Sequence, residues 1–269
     1  MLDPTHNWIS NPNSGLIPPA PDRKPQFPVM PKLFGANLRD RPIINRDDLD
    51  PVVGLYGNDT LSNCSSVAIA NGINSLATLL YPNAPQARPV ITTANAEYFY
   101  ARSTGWDPNV PSSDKGADAD AVARYVQQNG YPSQSEYLYP IVGEIDPTVE
   151  QNFFDGLDAF GVLNLGVALS INDTKNDILV TGTTPDDKPG SYGYHLLNLW
   201  NFNGRSLDDH CEVLTFGRKQ KATLRWIMER TLLVYGHAYH QLTTPSGHAF
   251  DHSGWDTYLQ NCKAHSRCI

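Results

Sequence analysis

The sequence predicts an α+β protein in which helices come first and strands follow. Apolar residues recur at helical spacing in several segments of residues 64–160, whereas residues 162–216 contain three stretches typical of strands. No internal repeat is present. Helices and strands that are grouped along the chain, rather than alternating, favour the α+β class.

The composition is that of a folded protein of 269 residues, with 40% hydrophobic residues and five tryptophans. Such a chain is long enough to bury a sizeable core, in one domain or in two packed lobes. A net charge of -8 without a compensating Lys/Arg cluster argues against nucleic acid as a partner. No apolar run reaches the roughly 18 residues of a membrane span, and no signal-peptide pattern is seen. We therefore expect a soluble protein with no membrane partner. The sequence does not identify the cellular compartment.

Residues 1–53 carry ten prolines and few periodic apolar residues. Proline lacks an N–H and disrupts helices and central strands, so this segment should be extended. We expect an arm that is either a tail or draped over the surface, and a propeptide or covering arm is the alternative. The predicted boundaries are this arm, a main domain over residues 54–245 and a C-terminal extension over residues 246–269.

A polar, turn-rich stretch leads into Cys64, which begins a predicted helix. Apolar residues follow at steps of four, three and four from Ile69 to Leu80. The N–H groups and partial positive charge at a helix start favour thiolate over thiol. Asn58, six residues earlier, offers a side-chain amide for an oxyanion. The alternative is that Cys64 is a small buried hydrophobe.

Further elements follow in order. Helices are predicted over residues 94–102, 117–128 and 148–160, and strands over residues 162–171, 194–200 and 212–216. Residues 221–237 have near-helical apolar spacing, which predicts a segment with one face on the core.

His195 lies at the start of a predicted strand, just after the loop Gly190-Ser191-Tyr192-Gly193. A cysteine at a helix start and a histidine presented by a sheet edge supply the nucleophile and general base of thiol chemistry. In that chemistry the imidazole takes the thiol proton, and the imidazolium later protonates the leaving group.

The order of these features resembles the papain-like cysteine peptidase superfamily, most closely its bacterial and phage-type branches. The resemblance covers about residues 55–242 and is carried by five motifs: the glycine seven residues before Cys64, Asn129-Gly130, the alternating strand at residues 166–171, Gly193-Tyr194-His195-Leu196-Leu197 and Leu214-Thr215-Phe216-Gly217. It implies a papain-like fold, in which a helical lobe carrying the cysteine packs against an antiparallel β-sheet or barrel lobe carrying the histidine. It also implies that Cys64 is the nucleophile, His195 the base and Asn58 the oxyanion-hole amide, with a peptide or protein amide as substrate and no cofactor.

One departure from the family pattern concerns the residue that orients the histidine. Many members have an Asn before a Trp-Gly pair, whereas this chain has Leu214-Thr215 before Phe216-Gly217. The candidates for a replacement are Asn201, Asn203, Asp208 and Asp209. If none of these residues orients the histidine, the site is a dyad of Cys64 and His195, or the protein has lost its activity.

Other histidines and cysteines leave alternatives open. Gly247-His248-Ala249-Phe250 also resembles the histidine motif of thiol peptidases, so His248 competes with His195. A metal site is geometrically possible if the segment carrying His237 and His240 is helical, with His248 and His252 nearby. Scattered surface histidines are the simpler interpretation, and we expect no metal. Of the remaining cysteines, Cys211, Cys262 and Cys268, the last two form the candidate disulfide.

The leading hypothesis is a thiol hydrolase or acyl transferase that acts on an amide or peptide bond through a cysteine thioester. The second hypothesis is a catalytically inactive papain-like fold that acts as a binding or structural protein. A histidine-liganded metalloprotein is the third.

Overall fold

A seven-stranded sheet is covered by helices on both faces in the computed structural model, which describes residues 15–27, 46, 48–239 and 241–242. The helices are α1 Cys64–Leu80, α2 Thr93–Thr104, α3 Ala119–Asn129, α4 Glu150–Phe160 and α5 Leu224–Arg230. The strands are β1 Leu16–Ile17, β2 Ala117–Asp118, β3 Tyr131–Pro132, β4 Tyr137–Leu138, β5 Pro140–Ile145, β6 Leu163–Leu169, β7 Ile178–Leu179, β8 Gly193–Phe202, β9 His210–Thr215, β10 Arg218–Thr223 and β11 Thr231–Tyr239.

The large sheet has the strand order β5-β11-β6-β8-β9-β10-β7. All its neighbouring strands are antiparallel except β10 and β7. One hydrophobic cluster joins α1, α2 and α3 to the sheet, and a second joins the sheet to α4 and α5. The predicted α+β class, with a helical lobe on a mostly antiparallel sheet, is confirmed.

The helix ends follow from local chemistry that the sequence contains. The Thr92 hydroxyl caps α2 by accepting from Asn95 N, and the Asp118 carboxylate caps α3 by accepting from Ala121 N. Glycines at positive φ follow the last residues of α2 and α3, at Gly105 and Gly130. These signals explain why both helices lie within two residues of their predicted ends.

The prediction for residues 221–237 is wrong as a single helical segment. The structure has the end of β10, then the seven-residue helix α5, and then the nine-residue strand β11. β11 lies between β5 and β6, so its apolar residues are buried on both faces and lose the alternation that identifies a strand. His237 therefore lies on a strand, which removes the basis for a helical metal site with His240.

Candidate active site

Cys64 is the first residue of α1, and its side chain is almost completely covered, at 1% exposure. Burial raises the pKa of the Cys64 thiol to about 12, although hydrogen bonds with the backbone of Leu196 and of Ser65 partly oppose this. The contact with Leu196 brings the sulfur to the strand position that follows His195. As it stands, Cys64 is a protonated thiol at neutral pH.

The loop before Cys64 is held to α1 by asparagine side chains. Asn63 Nδ2 donates to Tyr56 O at 2.9 Å, and Asn74 Nδ2 donates to Tyr56 Oη at 2.7 Å. Asn71 makes two bonds with Gly54, accepting from its N–H and donating to its carbonyl. These bonds fix a turn in which Tyr56 adopts φ +47°.

Asn58 lies in that loop and is buried. Its Nδ2 donates to Leu61 O at 3.2 Å, and its Oδ1 has no hydrogen-bond partner among the described residues. An amide nitrogen carries two hydrogens, so one N–H remains after the bond to Leu61.

A residue that the sequence did not single out, Asp114, connects the loop to the helical lobe. Its carboxylate accepts from Ser62 N at 2.9 Å and from Tyr100 Oη at 2.6 Å. Asp114 lies in a long polar loop, and no spacing in the sequence marks it. Its charge also contributes to raising the pKa of Cys64.

His195 lies on β8 and is 1% exposed. Its Nε2 lies 2.8 Å from Thr215 Oγ1, and its ring stacks on Phe216 with centroids 4.3 Å apart and planes 3° from parallel. Leu214, which takes the place of the expected Asn, instead packs with Val162 and Trp200. Thr215, one position further on, is the side chain within hydrogen-bonding distance of the imidazole.

The four candidates for orienting His195 make contacts away from it. Asn201 lies six positions along β8 from His195, or about 20 Å in an extended strand, and bonds to Arg46 N and Asn203. Asp208 pairs with Arg225 on the surface. Asp209 accepts from Ser206 N within a turn. All four candidates lie at or beyond the end of β8 that is opposite to His195.

The N-terminal arm passes directly over Cys64. A Cβ placed on Gly15 would lie 2.7 Å from Ser62 O and 3.1 Å from Cys64 Sγ. Leu16 and Ile17 then pair in parallel with Ala117 and Asp118, as β1 with β2. At the start of this pairing, Ala117 N donates to Gly15 O at 2.8 Å.

Two glycines make this close approach possible. Gly15 has φ +79°, and Gly116, opposite it, has φ +76°. A Cβ on Gly116 would lie 2.6 Å from Gly15 O, which is closer than side chains allow. The backbone at Gly116 is thus open to the close approach of an extended segment, and residues 15–17 occupy this position beside β2.

Leu16 occupies an apolar site beside the cysteine. It belongs to the hydrophobic cluster that contains Cys64, Leu196 and Leu233. A Cβ on Gly166 would touch Leu16 Cδ2 at 3.3 Å, so the missing side chain of that residue gives Leu16 room.

The far end of residues 15–27 is fixed by charged side chains that we call the Arg23 cluster: Arg23, Asp120, Glu144 and Tyr235. The Arg23 guanidinium bonds to both carboxylates, and Tyr235 Oη donates to Asp120. Burial raises the pKa of Asp120, but the bonds from Arg23 and Tyr235 outweigh it, so this pKa lies below its usual value. Glu144 also accepts from the backbone N–H groups of Gln26 and Phe27.

The remaining predicted residues fall into two groups. His237 is buried, so the expectation of a surface histidine is wrong for this residue, and burial lowers its pKa to about 3. Cys211 is also buried. His240, His248, His252, Cys262 and Cys268 lie outside the described residues. Within the described part of the chain, no three histidine, cysteine or acidic side chains are grouped to hold a metal ion.

In the described segments, none of the helices is long and apolar enough to span a bilayer.

Comparison with known proteins identifies the fold. The sequence matches no protein-family model and no curated protein. Among solved structures, procathepsin B S9 from Trypanosoma congolense matches with a TM-score of 0.55 and 9% identity over 85% of this chain and 86% of that chain. The digestive procathepsin L2 proteinase from the larval midgut of Tenebrio molitor matches with a TM-score of 0.54 and 14% identity over 84% of this chain and 78% of that chain. The likeness shows a papain-like fold and does not distinguish branches of the superfamily.

Proposed function

We propose that this chain, which has the papain-like fold, is a thiol hydrolase or acyl transferase with Cys64 as nucleophile and His195 as acid and base. The observation that carries the proposal is the position of Cys64, at the first turn of α1 and against the backbone of Leu196 next to His195. A thiol there has helix N–H groups on one side and an imidazole-bearing strand on the other.

The reaction would proceed in two steps. His195 takes the thiol proton, and the Cys64 thiolate attacks the carbonyl carbon of an amide. The C–S bond forms, the C–N bond breaks, and the imidazolium gives its proton to the leaving amine. Water, activated by His195, then hydrolyses the thioester and restores the thiol. In an acyl transferase an amine would attack in place of water.

Asn58 would act as a donor to the oxyanion through the amide hydrogen that Leu61 does not use. The backbone N–H of Cys64, at the start of α1, would be a second donor. The substrate would be a peptide or protein amide, because the groove beside Cys64 already holds an extended backbone that pairs with β2.

The described arrangement would be a latent form, since residues 15–27 fill that groove. A covered Cys64 with a raised pKa is inert toward substrates and alkylating agents. Displacing the arm would admit water and substrate and leave the sulfur at an open helix N-terminus.

The test uses the full chain with Gly15→Val, which places a side chain against Ser62 O and should displace the arm. Gly105→Val is the matched control, because Gly105 has the same φ of +79° but no atom within 4 Å of the added Cβ. Iodoacetamide labelling of Cys64 at about pH 6, well below the ordinary thiol pKa, should be fast in Gly15→Val and slow in the parent and in Gly105→Val.

In the Gly15→Val chain that also carries His195→Ala, the rate of Cys64 labelling should rise with pH around the ordinary thiol pKa of about 8.5. Peptide hydrolysis, followed by the release of new amines, should appear with Gly15→Val and disappear with Cys64→Ser. Limited proteolysis of residues 18–27 reports independently whether the arm has moved. If the arm moves and Cys64 stays unreactive at pH 6, the inactive binding or structural protein is the correct reading.

A further inference from the structure

The ring of His195 is held by two consecutive residues of the hairpin that joins β9 and β10. Thr215 Oγ1 contacts Nε2 at 2.8 Å, and the Phe216 ring lies parallel to the imidazole. Thr215 is itself buried and pairs with Arg218 across the turn, so its position is fixed by the sheet.

Phe216 has a positive backbone φ, a conformation that is unfavourable for phenylalanine. The hairpin has two turn residues, Phe216 at φ +45° and Gly217 at φ +73°, a pattern that normally selects Asn or Gly at the first position. Among the described residues, Tyr56 and Phe216 are the non-glycine residues with positive φ. One lies in the loop before Cys64 and the other stacks on His195, so this backbone strain is confined to the site.

We propose that Thr215 and Phe216 are the positioning residues for His195, with Thr215 accepting a hydrogen bond from Nε2–H so that Nδ1 takes the thiol proton. The proposal rests on the proposed function of His195. It assigns the orienting role to a hydroxyl and an aromatic face, neither of which was among the residues expected for it.

The chemistry of a hydroxyl suits this role. A neutral imidazole has one donor and one acceptor nitrogen, and the group bonded to one of them selects the tautomer. A threonine oxygen that accepts from Nε2–H leaves Nδ1 as the base, and it continues to accept after the ring becomes imidazolium. The face of Phe216 favours the imidazolium through its ring quadrupole.

The tautomer is directly measurable in the intact chain by NMR with ¹⁵N-labelled histidine, using His195→Ala to assign the signal. We expect the Nε2–H tautomer in the parent and in Thr215→Ser. Thr215→Val removes the acceptor at similar shape and should yield a mixture of tautomers. Thr231→Val is the matched control, since Thr231 is also buried and on a strand of the same sheet. An Nδ1–H tautomer in the parent, or no change in Thr215→Val, overturns the proposal.

The kinetic test uses the Gly15→Val chain. Thr215→Val should lower kcat for peptide hydrolysis about 10- to 100-fold with KM unchanged, and should move the acid limb of Cys64 alkylation to higher pH. Thr215→Ser should restore most of the rate, and Thr231→Val should not change it. If Thr215→Val keeps the parent profile while His195→Ala abolishes it, Thr215 does not position the ring. If His195→Ala has no effect on hydrolysis or alkylation, the proposed function fails. The NMR measurement of the His195 tautomer then still shows whether Thr215 positions the ring.

Phe216→Gly separates positioning from packing. Glycine relieves the positive φ at this turn, so the melting temperature should stay the same or rise, while kcat falls at least about tenfold. A lower melting temperature with unchanged kcat would identify Phe216 as a packing residue only.

Discussion

Cys64 is subject to two opposing effects, and their magnitudes decide its state. The start of a helix favours a thiolate by about 0.3–1 kcal/mol. Burial in the folded protein raises the pKa from 9.0 to about 12, which corresponds to about 4 kcal/mol in favour of the thiol. Desolvation therefore wins while Gly15 covers the sulfur, and the same residue would be a reactive cysteine once water reaches it.

Asn58 offers a way to separate thiol reactivity from amide chemistry. We expect Asn58→Ala in the Gly15→Val chain to lower kcat for peptide hydrolysis by about 10²–10³, the usual effect of losing one oxyanion donor. Alkylation by iodoacetamide forms no oxyanion, so its rate should not change. Steady-state kinetics and labelling of the same preparation give both numbers.

Asn109→Ala serves as the control for that variant, because Asn109 is an exposed loop asparagine that bonds to Asp107. Equal losses of hydrolysis and alkylation in Asn58→Ala would mean that Asn58 supports the loop before Cys64 and does not serve the oxyanion.

The arm behaves as an element with two attachments. Backbone pairing with β2 stops after Ile17 because Pro18 and Pro19 follow and lack N–H groups. The chain then reaches the Arg23 cluster, where side chains take over from backbone bonds. Two apolar residues of the described segment 15–27, Leu16 and Phe27, are buried in the protein.

We expect Arg23→Met to loosen the arm, because it leaves the carboxylates of Asp120 and Glu144 close together without their cation. A loss of about 1.4 kcal/mol would raise the open fraction tenfold, and the rate of Cys64 alkylation at about pH 8 should rise with it. Arg225→Met removes the exposed pair with Asp208 and should leave the rate unchanged.

The pH dependence of this attachment has a defined sign. The pKa of Asp120 is lowered by its partners, so the carboxylate stabilises the closed arm above its usual pKa near 4, and this contribution is lost as the pH falls further.

Equal alkylation rates in Arg23→Met and Arg225→Met would show that pairing with β2 alone holds the arm.

Helix α1 packs against strands β6 and β8 of the sheet. A small cluster of polar side chains, Asn164, Asn198 and His237, is buried near this contact. Gly72 of α1 lies against the side chains of Asn164 and Asn198, since a Cβ on it would be 3.3 Å from Asn198 Nδ2. Asn164 Nδ2 and His237 Nδ1 are 2.5 Å apart. A cavity that extends to Tyr239 adjoins this group. The assembled molecule thus buries a histidine in its neutral form.

This burial makes the stability of the whole protein sensitive to acid. The pKa of His237 is about 3 in the folded protein and about 6.5 when unfolded. The stabilising contribution is complete above pH 6.5 and is lost as the pH falls toward 3, because only the unfolded chain takes up the proton. We expect a loss of about 2–3 kcal/mol between about pH 6.5 and 4.5.

Urea unfolding at several pH values checks this expectation. His237→Gln should remove the decrease in the free energy of unfolding between about pH 6.5 and 4.5. This holds whatever effect the substitution has on stability at neutral pH. His210→Gln, at an exposed histidine, should keep the parent slope. A parent slope that survives in His237→Gln would contradict the assignment.

The sequence alone determined the fold class, the helices α1 to α4 and the places of Cys64 and His195 in the chain, because periodicity, caps and terminating glycines are local properties. It did not reveal β11, whose residues are buried on both faces and show no alternation. Only the tertiary structure decided that Thr215 contacts His195 and that Gly15 covers Cys64. Both contacts join residues far apart in sequence, and their geometry is set by strand register and by the space that two glycines leave open, which no local pattern encodes.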